Sequence, residues 1–449
     1  MRIVIVSPDT RIDRRTLQQA ESLFAQGHEL IILGRPQEPL PPHEWIGHIK
    51  VERVIPTNLD YARRERIIIF FQRKGVGLLQ RISDFFQKLG ADMGFTSTKV
   101  GDLILSIIQA VIALNMKVVN KLGAWALSLS QKLRDIHLHE QVLLSRITYY
   151  DPDVLQVVDL PFLKVGVLAK KQLKLPLVYD ARELYPEIGA LTPSQKKSLT
   201  RLEAQALPQC DVSFTVNTFI AEEMSRRYHV PLPAVIHNAI IIPPGFTPGL
   251  AEDRFRACFP IPADHYILLY QGWMSLERGL QNLVQAMSRV PASIHLVLMG
   301  YGEKAKQELI RIAQTEGTVH RLHFKETVSH RDLLFWTASA DAGIIPYPPV
   351  DLNNYYCSPG KLFEFIQAGL PIIANDLPFL RQVVATEGFG IVSPLTDAGN
   401  FAQAICAMFD EQAGGPARFK KNLLERAAKY DWKVEEAKLL DLYARLFSN

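Results

Sequence analysis

The opening of the chain alternates short apolar runs with an amphipathic stretch. The pattern predicts a strand at Arg2–Ser7, a helix at Arg15–Gln26 and a strand at Glu29–Leu33. After residue 150, four more apolar runs are separated by helical stretches, at Val154–Val158, Leu177–Asp180, Val212–Val216 and Val235–His237. Strands that alternate with helices predict a parallel sheet covered on both faces.

A second alternating series begins near residue 265. Its strand candidates are Tyr266–Gln271, His295–Met299, Leu322–Phe324, Ala342–Ile345, Pro371–Ala374 and Gly390–Val392. Ala239–Pro262, between the two series, is rich in Pro and Gly and has the composition of a linker. The pattern therefore predicts an α/β protein with two doubly wound Rossmann-like domains, over residues 1–240 and 241–428, whose strands end at a central cleft.

Residues 61–150 interrupt this rhythm and predict a helical insertion in the first domain. They hold 13 Lys/Arg against 6 Asp/Glu. The longest nearly uncharged run, Leu103–Met116, has 14 residues and is too short for a membrane-spanning helix, which needs about 20. Interleaved basic and apolar residues favour contact with an anionic membrane surface. Packing against the first domain or another subunit is the alternative.

Composition narrows the class of protein. With 449 residues, 48% hydrophobic and 21% charged, the chain is predicted to be globular with more than one domain. Its four cysteines are scattered, which argues against a disulfide framework or a zinc site. The first residues lead directly into a strand without the pattern of a signal peptide, so a cytoplasmic location is expected.

The segment Ser358–Pro371 carries the clearest candidate chemistry. Ser358 and Pro359 suit the N-cap and the first position of a helix. The amide groups of its first turn, together with Lys361, would attract a phosphate. Glu364 lies on the same face, and its carboxylate can accept hydrogen bonds from a vicinal diol such as ribose. The alternative is a Lys–Glu surface pair on an ordinary helix.

Two glycine-containing loops precede this segment. In the first, Gly272 ends a strand and Arg278 opens the next helix, so that the backbone could approach a diphosphate and the guanidinium could bind it. In the second, Gly300 and Gly302 stand between a strand and a helix. Taken singly, these loops are better explained by a solvated arginine and by a tight turn.

The order of these three features resembles the donor-binding domain of family 4 glycosyltransferases, which have the GT-B fold. The segments GHEL, VYDARELYPE, VIHNAI and the final helix over 429–449, which would cross back to the first domain, also resemble that family. The resemblance implies a retaining glycosyltransferase that moves a sugar from a nucleoside-diphosphate sugar to an acceptor hydroxyl. It implies that no metal is needed. No other cofactor and no nucleic-acid partner are expected. The predicted membrane contact of residues 61–150 would make a lipid-linked or cell-envelope glycan the expected acceptor.

The resemblance also assigns donor-binding residues. Arg278 would hold the diphosphate, Glu364 the ribose, and Thr327 and Val328 the base. Tyr356 replaces the family's first carboxylate, which leaves the sugar to backbone groups near residues 357–360 or to Lys361. The family often has a second basic residue just after the first glycine. Trp273 stands at that position here, and Lys361 would supply the missing positive charge. The complete predicted donor set is Gly272, Arg278, Gly300, Gly302, Thr327, Val328, Tyr356, Ser358, Gly360, Lys361 and Glu364.

Acceptor and catalytic residues are predicted around the first-domain loops. Asp13 and Arg14 would enter the cleft, although Asp13 could equally cap a helix. Arg182 stands where the family usually has His, and Glu183 follows it. The predicted catalytic residues are Arg278, Lys361 and Arg182, which would hold or stabilise phosphate charge. The Asp151–Asp153 pair precedes a strand and is interpreted as a turn.

Three alternatives remain at this point. A GT-B-fold sugar-nucleotide epimerase would share the donor site but lack an acceptor. A non-catalytic scaffold is compatible with the missing carboxylate and with Arg182. An NAD-dependent oxidoreductase is disfavoured, because the first loop, SPDTRIDRR, lacks the GxGxxG pattern.

Overall fold

The computed structural model describes residues 1–54, 140–249 and 252–446. The chain divides into two compact units, one formed by residues 1–53 and 150–449 and the other by residues 54–149. The predicted insertion over 61–150 lies outside the described residues, apart from a helix from residue 140 to residue 150. Among the helices of the described ranges, none is long and apolar enough to cross a membrane.

The first sheet has eight strands. They are β1 (Arg2–Val6), β2 (Glu29–Gly34), β3 (His43–Ile46), β4 (Ile49–Arg53), β5 (Val154–Val158), β6 (Leu177–Ala181), β7 (Val212–Thr215) and β8 (Ala234–Val235). Their order is β3-β4-β2-β1-β5-β6-β7-β8, and only the β3–β4 pair is antiparallel. The direction of winding reverses between β1 and β5, which places a ligand crevice at their carboxyl ends.

The second sheet has six parallel strands. They are β9 (Tyr266–Trp273), β10 (Ile294–Tyr301), β11 (Leu322–Lys325), β12 (Ala342–Ile345), β13 (Ile372–Asn375) and β14 (Gly390–Ser393). Their order is β11-β10-β9-β12-β13-β14, so the winding reverses between β9 and β12. Two doubly wound sheets confirm the predicted fold class.

Helices separate most of the strands along the chain. In chain order they are α1 (Arg14–Ala25), α2 (140–150), α3 (Leu163–Leu173), α4 (Pro193–Ala206), α5 (Thr218–Tyr228), α6 (Arg254–Cys258), α7 (Leu280–Ala286), α8 (Glu303–Thr315), α9 (His330–Thr337), α10 (Leu352–Tyr355), α11 (Gly360–Gln367), α12 (Pro378–Leu380), α13 (Ala398–Met408), α14 (Ala417–Arg426) and α15 (Trp432–Arg445). Side-chain caps begin several of them, and Thr192 and Gln195 form a capping box at α4.

The last helix, α15, packs against the first-sheet side of the molecule. The indole nitrogen of Trp432 donates to Ser22 Oγ on α1 at 3.0 Å. Tyr443 donates to the side-chain oxygen of Gln156, in the middle of β5, and Leu439 is fully buried. Residues from the end of the described chain therefore complete the core of the N-terminal sheet.

The structure differs from the sequence prediction in three places. The β3–β4 hairpin was not predicted. The strand predicted at Val235–His237 stops at Val235, and the His237 amide donates to Glu435 Oε2 at 2.9 Å instead of continuing the sheet. The predicted linker Ala239–Pro262 lies between the two sheets but is not irregular throughout, because it contains α6 and buries Phe246 and Phe255.

Candidate active site

A cavity of about 840 Å³ lies where the carboxyl ends of the two sheets meet. It is lined by Asp9, Arg11, Ile12, Asp13, Arg14, Arg15, Asp159, Arg182, Glu183, Ile220, Asn238, Ala239, Gln271, Gly272, Trp273, Arg278, Tyr301, His330, Tyr347, Asn353, Asn354, Cys357, Ser358, Pro359, Gly360, Lys361 and Glu364. Both switch points open into it, as expected for a ligand site in doubly wound sheets.

Lys361 places a buried ammonium group in this cavity. Its side chain is 6% exposed, and within the described ranges Nζ has no hydrogen-bond partner. Nζ lies 3.7 Å from the centre of the Tyr270 ring and 5.0 Å from that of Tyr347. Burial, and then the charge of Arg278, lower the pKa of Lys361 to about 7. An unpaired buried cation is costly, and an anion bound here would relieve that cost.

The first turn of α11 adds further donors beside Lys361. Pro359 is the N-cap residue and makes no side-chain capping bond, so the first amide groups of the helix have no side-chain acceptor there. The prediction that Ser358 caps this helix was wrong by one residue. Its hydroxyl is buried without a hydrogen-bond partner in the described part of the chain. Hydroxyl, amide groups and ammonium thus form a site suited to a phosphate.

Glu364 is held from two sides. Arg14 Nη1, on α1, donates to its Oε1 at 2.7 Å. Gln271 Nε2, on β9, donates to its Oε2. The residue is 9% exposed. The residue predicted to bind ribose is therefore fixed in position and joined by an ion pair to a residue predicted to bind acceptor.

Arg278 lies above aromatic rings at the edge of the cavity. Its guanidinium carbon is 4.1 Å from the centre of the Tyr347 ring and 6.0 Å from that of Trp273. Among the described residues, no hydrogen bond or ion pair of the Arg278 guanidinium is found, and only its backbone amide donates, to the Ser275 carbonyl oxygen at 3.0 Å. Gly279, which follows, has a φ of +75°, and a Cβ atom there would lie 3.2 Å from the Pro346 carbonyl oxygen. Stacking leaves the donors of the guanidinium edge available to a ligand.

Among the predicted glycines, only Gly272 and Gly360 line the cavity. Gly300 and Gly302 lie outside its lining and have a different reason to be glycine. Both have positive φ, and a Cβ atom at Gly300 would lie 1.9 Å from the Gly272 carbonyl oxygen, while one at Gly302 would lie 2.1 Å from that of Met274. Close approach of β9 and the loop that follows it therefore explains these two residues.

Tyr356 also lies outside the cavity lining. Its ring stacks on Phe219, with centroids 6.0 Å apart, and its carbonyl oxygen accepts from Asn217 Nδ2 at 2.7 Å. The neighbouring Cys357 does line the cavity, and burial raises the pKa of its thiol to about 12. The side chain at the position of the missing carboxylate is thus used for packing against α5.

Arg182 is held by two carboxylates of the first sheet. Its guanidinium bonds to both oxygens of Asp9, at 2.9 and 3.1 Å, and to Asp159 Oδ2 at 2.8 Å. Burial raises the pKa of Asp159 to about 7, against the lowering effect of Arg182. Two carboxylates already accept hydrogen bonds from three nitrogen atoms of the Arg182 guanidinium. The assignment of Arg182 to phosphate binding or catalysis stays a prediction.

The first-domain loop shows how the remaining predicted acceptor residues are placed. Asp13 is the N-cap of α1 and accepts from the Arg15 amide at 2.8 Å, so the capping alternative is confirmed. Asp13, Arg14 and Glu183 all line the cavity. Thr327 and Val328, predicted for the base, are outside its lining, and His330 three positions after Thr327 lies within it.

Sequence reasoning missed several cavity residues. The clearest are Gln271, Tyr347 and Asn238, whose Nδ2 donates to the Ser358 carbonyl at 2.7 Å. Gln271 is the polar residue that ends the apolar part of its strand, directly before Gly272. A polar side chain at a strand's carboxyl end was the signal that could have identified it.

Comparisons with known proteins agree with this arrangement. A family model described as glycosyl transferases group 1 matches residues 265–411. A D-inositol 3-phosphate glycosyltransferase of Xylanimonas cellulosilytica is 26% identical over 300 residues, covering 63% of this chain and 69% of that protein. A phosphatidyl-myo-inositol mannosyltransferase of Mycolicibacterium smegmatis is 23% identical over 273 residues, covering 58% of this chain and 64% of that protein.

Several solved structures have a similar fold. Sucrose-phosphate synthase from Thermosynechococcus elongatus has a TM-score of 0.71 at 19% identity, covering 100% of this chain and 99% of its own. Anabaena Alr3699/HepE, in complex with UDP-glucose, has a TM-score of 0.62 at 13% identity, covering 99% of this chain and 100% of its own. At these identities the likeness concerns the fold.

Proposed function

We propose that this nucleotide-sugar glycosyltransferase, which has the GT-B fold and a group 1 glycosyltransferase domain at residues 265–411, transfers a sugar with retention of its anomeric configuration. The predicted family and enzyme class are confirmed by the domain match and the relatives. The observation that carries the donor site of this proposal is the pair of buried groups Lys361 Nζ and Ser358 Oγ, which have no hydrogen-bond partner among the described residues. They lie beside the start of α11, where a diphosphate would satisfy both.

The donor would bind across the carboxyl ends of β9 and β12. Its diphosphate would accept hydrogen bonds from Ser358, Lys361 and the first turn of α11, and from Arg278 at the cavity edge. Its ribose would donate to Glu364. A UDP-glucose complex of the Alr3699/HepE neighbour makes UDP the first nucleotide to test.

The reaction would follow from this placement. The bond between the anomeric carbon and the diphosphate oxygen breaks, and the acceptor oxygen bonds to the same face of that carbon. The acceptor proton passes to an oxygen of the leaving diphosphate. Arg278, Lys361 and the α11 amide groups would stabilise the charge that develops on the leaving group. In this proposal that role requires no metal.

The acceptor is proposed to be a phosphate-bearing polyol or glycan, lipid-linked in the cell. Two relatives are named for inositol 3-phosphate and phosphatidyl-myo-inositol. Arg11 lines the cavity on the first-domain side and is exposed, so its cation could meet an acceptor phosphate. Contact of residues 61–150 with an anionic membrane remains part of the proposal.

Ligand-induced stabilisation tests the donor site. We expect UDP, GDP or ADP, or one of their sugars, to raise the unfolding temperature, since a ligand at 100 times its Kd stabilises by about 2.7 kcal/mol. Lys361→Met should abolish the shift, and the matched surface variant Lys304→Met should retain it. No shift with any nucleotide would contradict the proposal.

Product analysis then separates the activities. Sugar transferred to an inositol phosphate acceptor, with the donor's anomeric configuration seen by NMR, supports a retaining transferase. A free epimerised sugar would instead identify an epimerase. Binding without turnover of any donor would favour a scaffold.

A further inference from the structure

Gln271 connects the Glu364 carboxylate to the interior of the second domain. The residue is 3% exposed, and its Nε2 faces Glu364 Oε2. Because a carboxylate accepts hydrogen bonds, the amide nitrogen must face it, which fixes the amide oxygen on the other side. That oxygen lies 2.9 Å from Thr337 Oγ1, on α9.

Thr337 in turn is anchored by its own helix. It is fully buried, and its hydroxyl also lies 2.7 Å from the Leu333 carbonyl oxygen. Thr337 does not line the cavity, whereas Gln271 does. The series Thr337, Gln271, Glu364 therefore runs from the core to the cavity wall.

The remaining hydrogen-bonding capacity of Glu364 matches a diol. A carboxylate offers about four lone-pair sites. Arg14 occupies one on Oε1 and Gln271 one on Oε2, which leaves one site on each oxygen. Two adjacent acceptors, held in a fixed orientation, suit the 2′- and 3′-hydroxyls of a ribose.

We infer that Gln271 and Thr337 are positioning residues that orient Glu364 and thereby make this site selective for ribonucleotides over 2′-deoxyribonucleotides. The inference rests on the proposed donor site. A site built to receive a hydroxyl rejects the analogue that lacks it, because its buried acceptor is then left unpaired. Free rotation of Glu364 would weaken this rejection.

The test compares the affinities of the full-length protein for UDP, GDP and ADP with those for their 2′-deoxy forms. The wild type should prefer the ribonucleotide it binds by at least about tenfold, the value of one hydrogen bond to a charged acceptor. Gln271→Leu should reduce the ratio to below about threefold. Thr337→Val should reduce it in part, and Thr337→Ser, which keeps the hydroxyl, should restore it.

A matched control is Gln367→Leu. Gln367, on α11, is a buried glutamine like Gln271, but its Nε2 donates to the Ala427 carbonyl oxygen at 3.0 Å, away from the cavity. This variant should keep the wild-type ratio even if stability falls. A wild type that binds both nucleotide forms equally, or binds none, would refute the assignment of Glu364 and the inference with it. A selective wild type whose ratio is unchanged in Gln271→Leu and Thr337→Val would refute the inference alone.

Discussion

Arg14 and Glu364 form an ion pair between the two halves of the cleft, with Nη1 and Oε1 at 2.7 Å. Arg14 is the first residue of α1, and Glu364 lies within α11. Their side chains are 22% and 12% exposed. In the proposed function this pair would couple the acceptor side to the donor side, because the carboxylate that accepts from Arg14 is the one assigned to the donor ribose.

A double-mutant cycle measures that coupling. Arg14→Gln, Glu364→Gln and the double variant should show a coupling energy of about 1–3 kcal/mol in urea unfolding, since the pair is largely shielded from water. The exposed pair Lys421–Glu425, at 3.9 Å, is the control and should give less than about 0.5 kcal/mol. Equal coupling energies in the two cycles would show that the cleft pair stabilises the fold no more than an exposed pair does.

Lys361 should make nucleotide binding depend on pH. Burial and Arg278 hold its pKa at about 7, so the free protein loses this charge as the pH rises through 7. Nucleoside diphosphate affinity should fall between pH 7 and 9, and calorimetry at pH 8 should detect proton uptake on binding. In Lys361→Arg the dependence should flatten, because arginine stays charged. A wild-type affinity that is constant over this range would contradict the prediction.

Arg278 should bind through the shape of its guanidinium as well as its charge. Arg278→Lys should weaken nucleoside diphosphate binding by about tenfold, because the ammonium lacks the planar fork and stacks less well on Tyr347. The exposed Arg289→Lys serves as the matched control. Titration calorimetry checks both, and an Arg278→Lys variant with wild-type affinity would show that charge alone suffices.

Gly300 should tolerate no side chain. A Cβ atom there would lie 1.9 Å from the Gly272 carbonyl oxygen, so Gly300→Ala should cost at least about 3 kcal/mol of unfolding free energy or prevent folding. Gly317 also has a positive φ, +71°, but nothing within 4 Å of its Cβ position. Gly317→Ala should therefore cost only about 1–2 kcal/mol. Comparable losses of unfolding free energy in the two variants would show that the cost comes from backbone strain and not from contact with β9.

His295 should destabilise the fold in acid. Its imidazole lies 2.9 Å from those of His265 and His323, and burial, followed by His323, lowers its pKa to about 4. The unfolded state, with a pKa near 6.5, binds the proton first, so stability is complete above about pH 6.5 and falls as the pH decreases toward 4. Urea unfolding at pH 7.5 and 5 should show a smaller loss in His295→Gln than in the wild type or in His43→Gln.

The sequence predicted the fold well because buried strands carry a strong local signal. Val154–Val158 is fully apolar except for Gln156 and appears as β5 with the predicted bounds. Strand β3 was missed because it lies at the sheet edge, where HEWI has no buried residue. Strand β4, IKVER, is largely buried, but only Ile49 and Val51 are apolar, so its sequence shows no apolar run. Local apolar pattern identifies central strands and fails at edges.

The site was predictable only in part. Lys361 and Arg278 lie in short motifs, and their proposed phosphate binding could be predicted from the residues next to them in the sequence. The Arg14–Glu364 pair joins residues 350 positions apart. The hydrogen bonds between Arg182 and Asp9 form because the strands β6 and β1, which precede these residues, end at the same edge of the sheet. Such pairings depend on the tertiary structure and cannot be predicted from the residues that flank either partner in the sequence.

The position of α15 has a consequence for how the protein is made. Trp432 and Tyr443 reach back to Ser22 and Gln156, so the first sheet cannot close its core while residues 432–445 are still being synthesised. Synthesis proceeds from the N-terminus and domains generally fold as they emerge. This N-terminal sheet should therefore stay incomplete and accessible to chaperones until residues 432–445 have emerged from the ribosome, and it should reach its final stability only then.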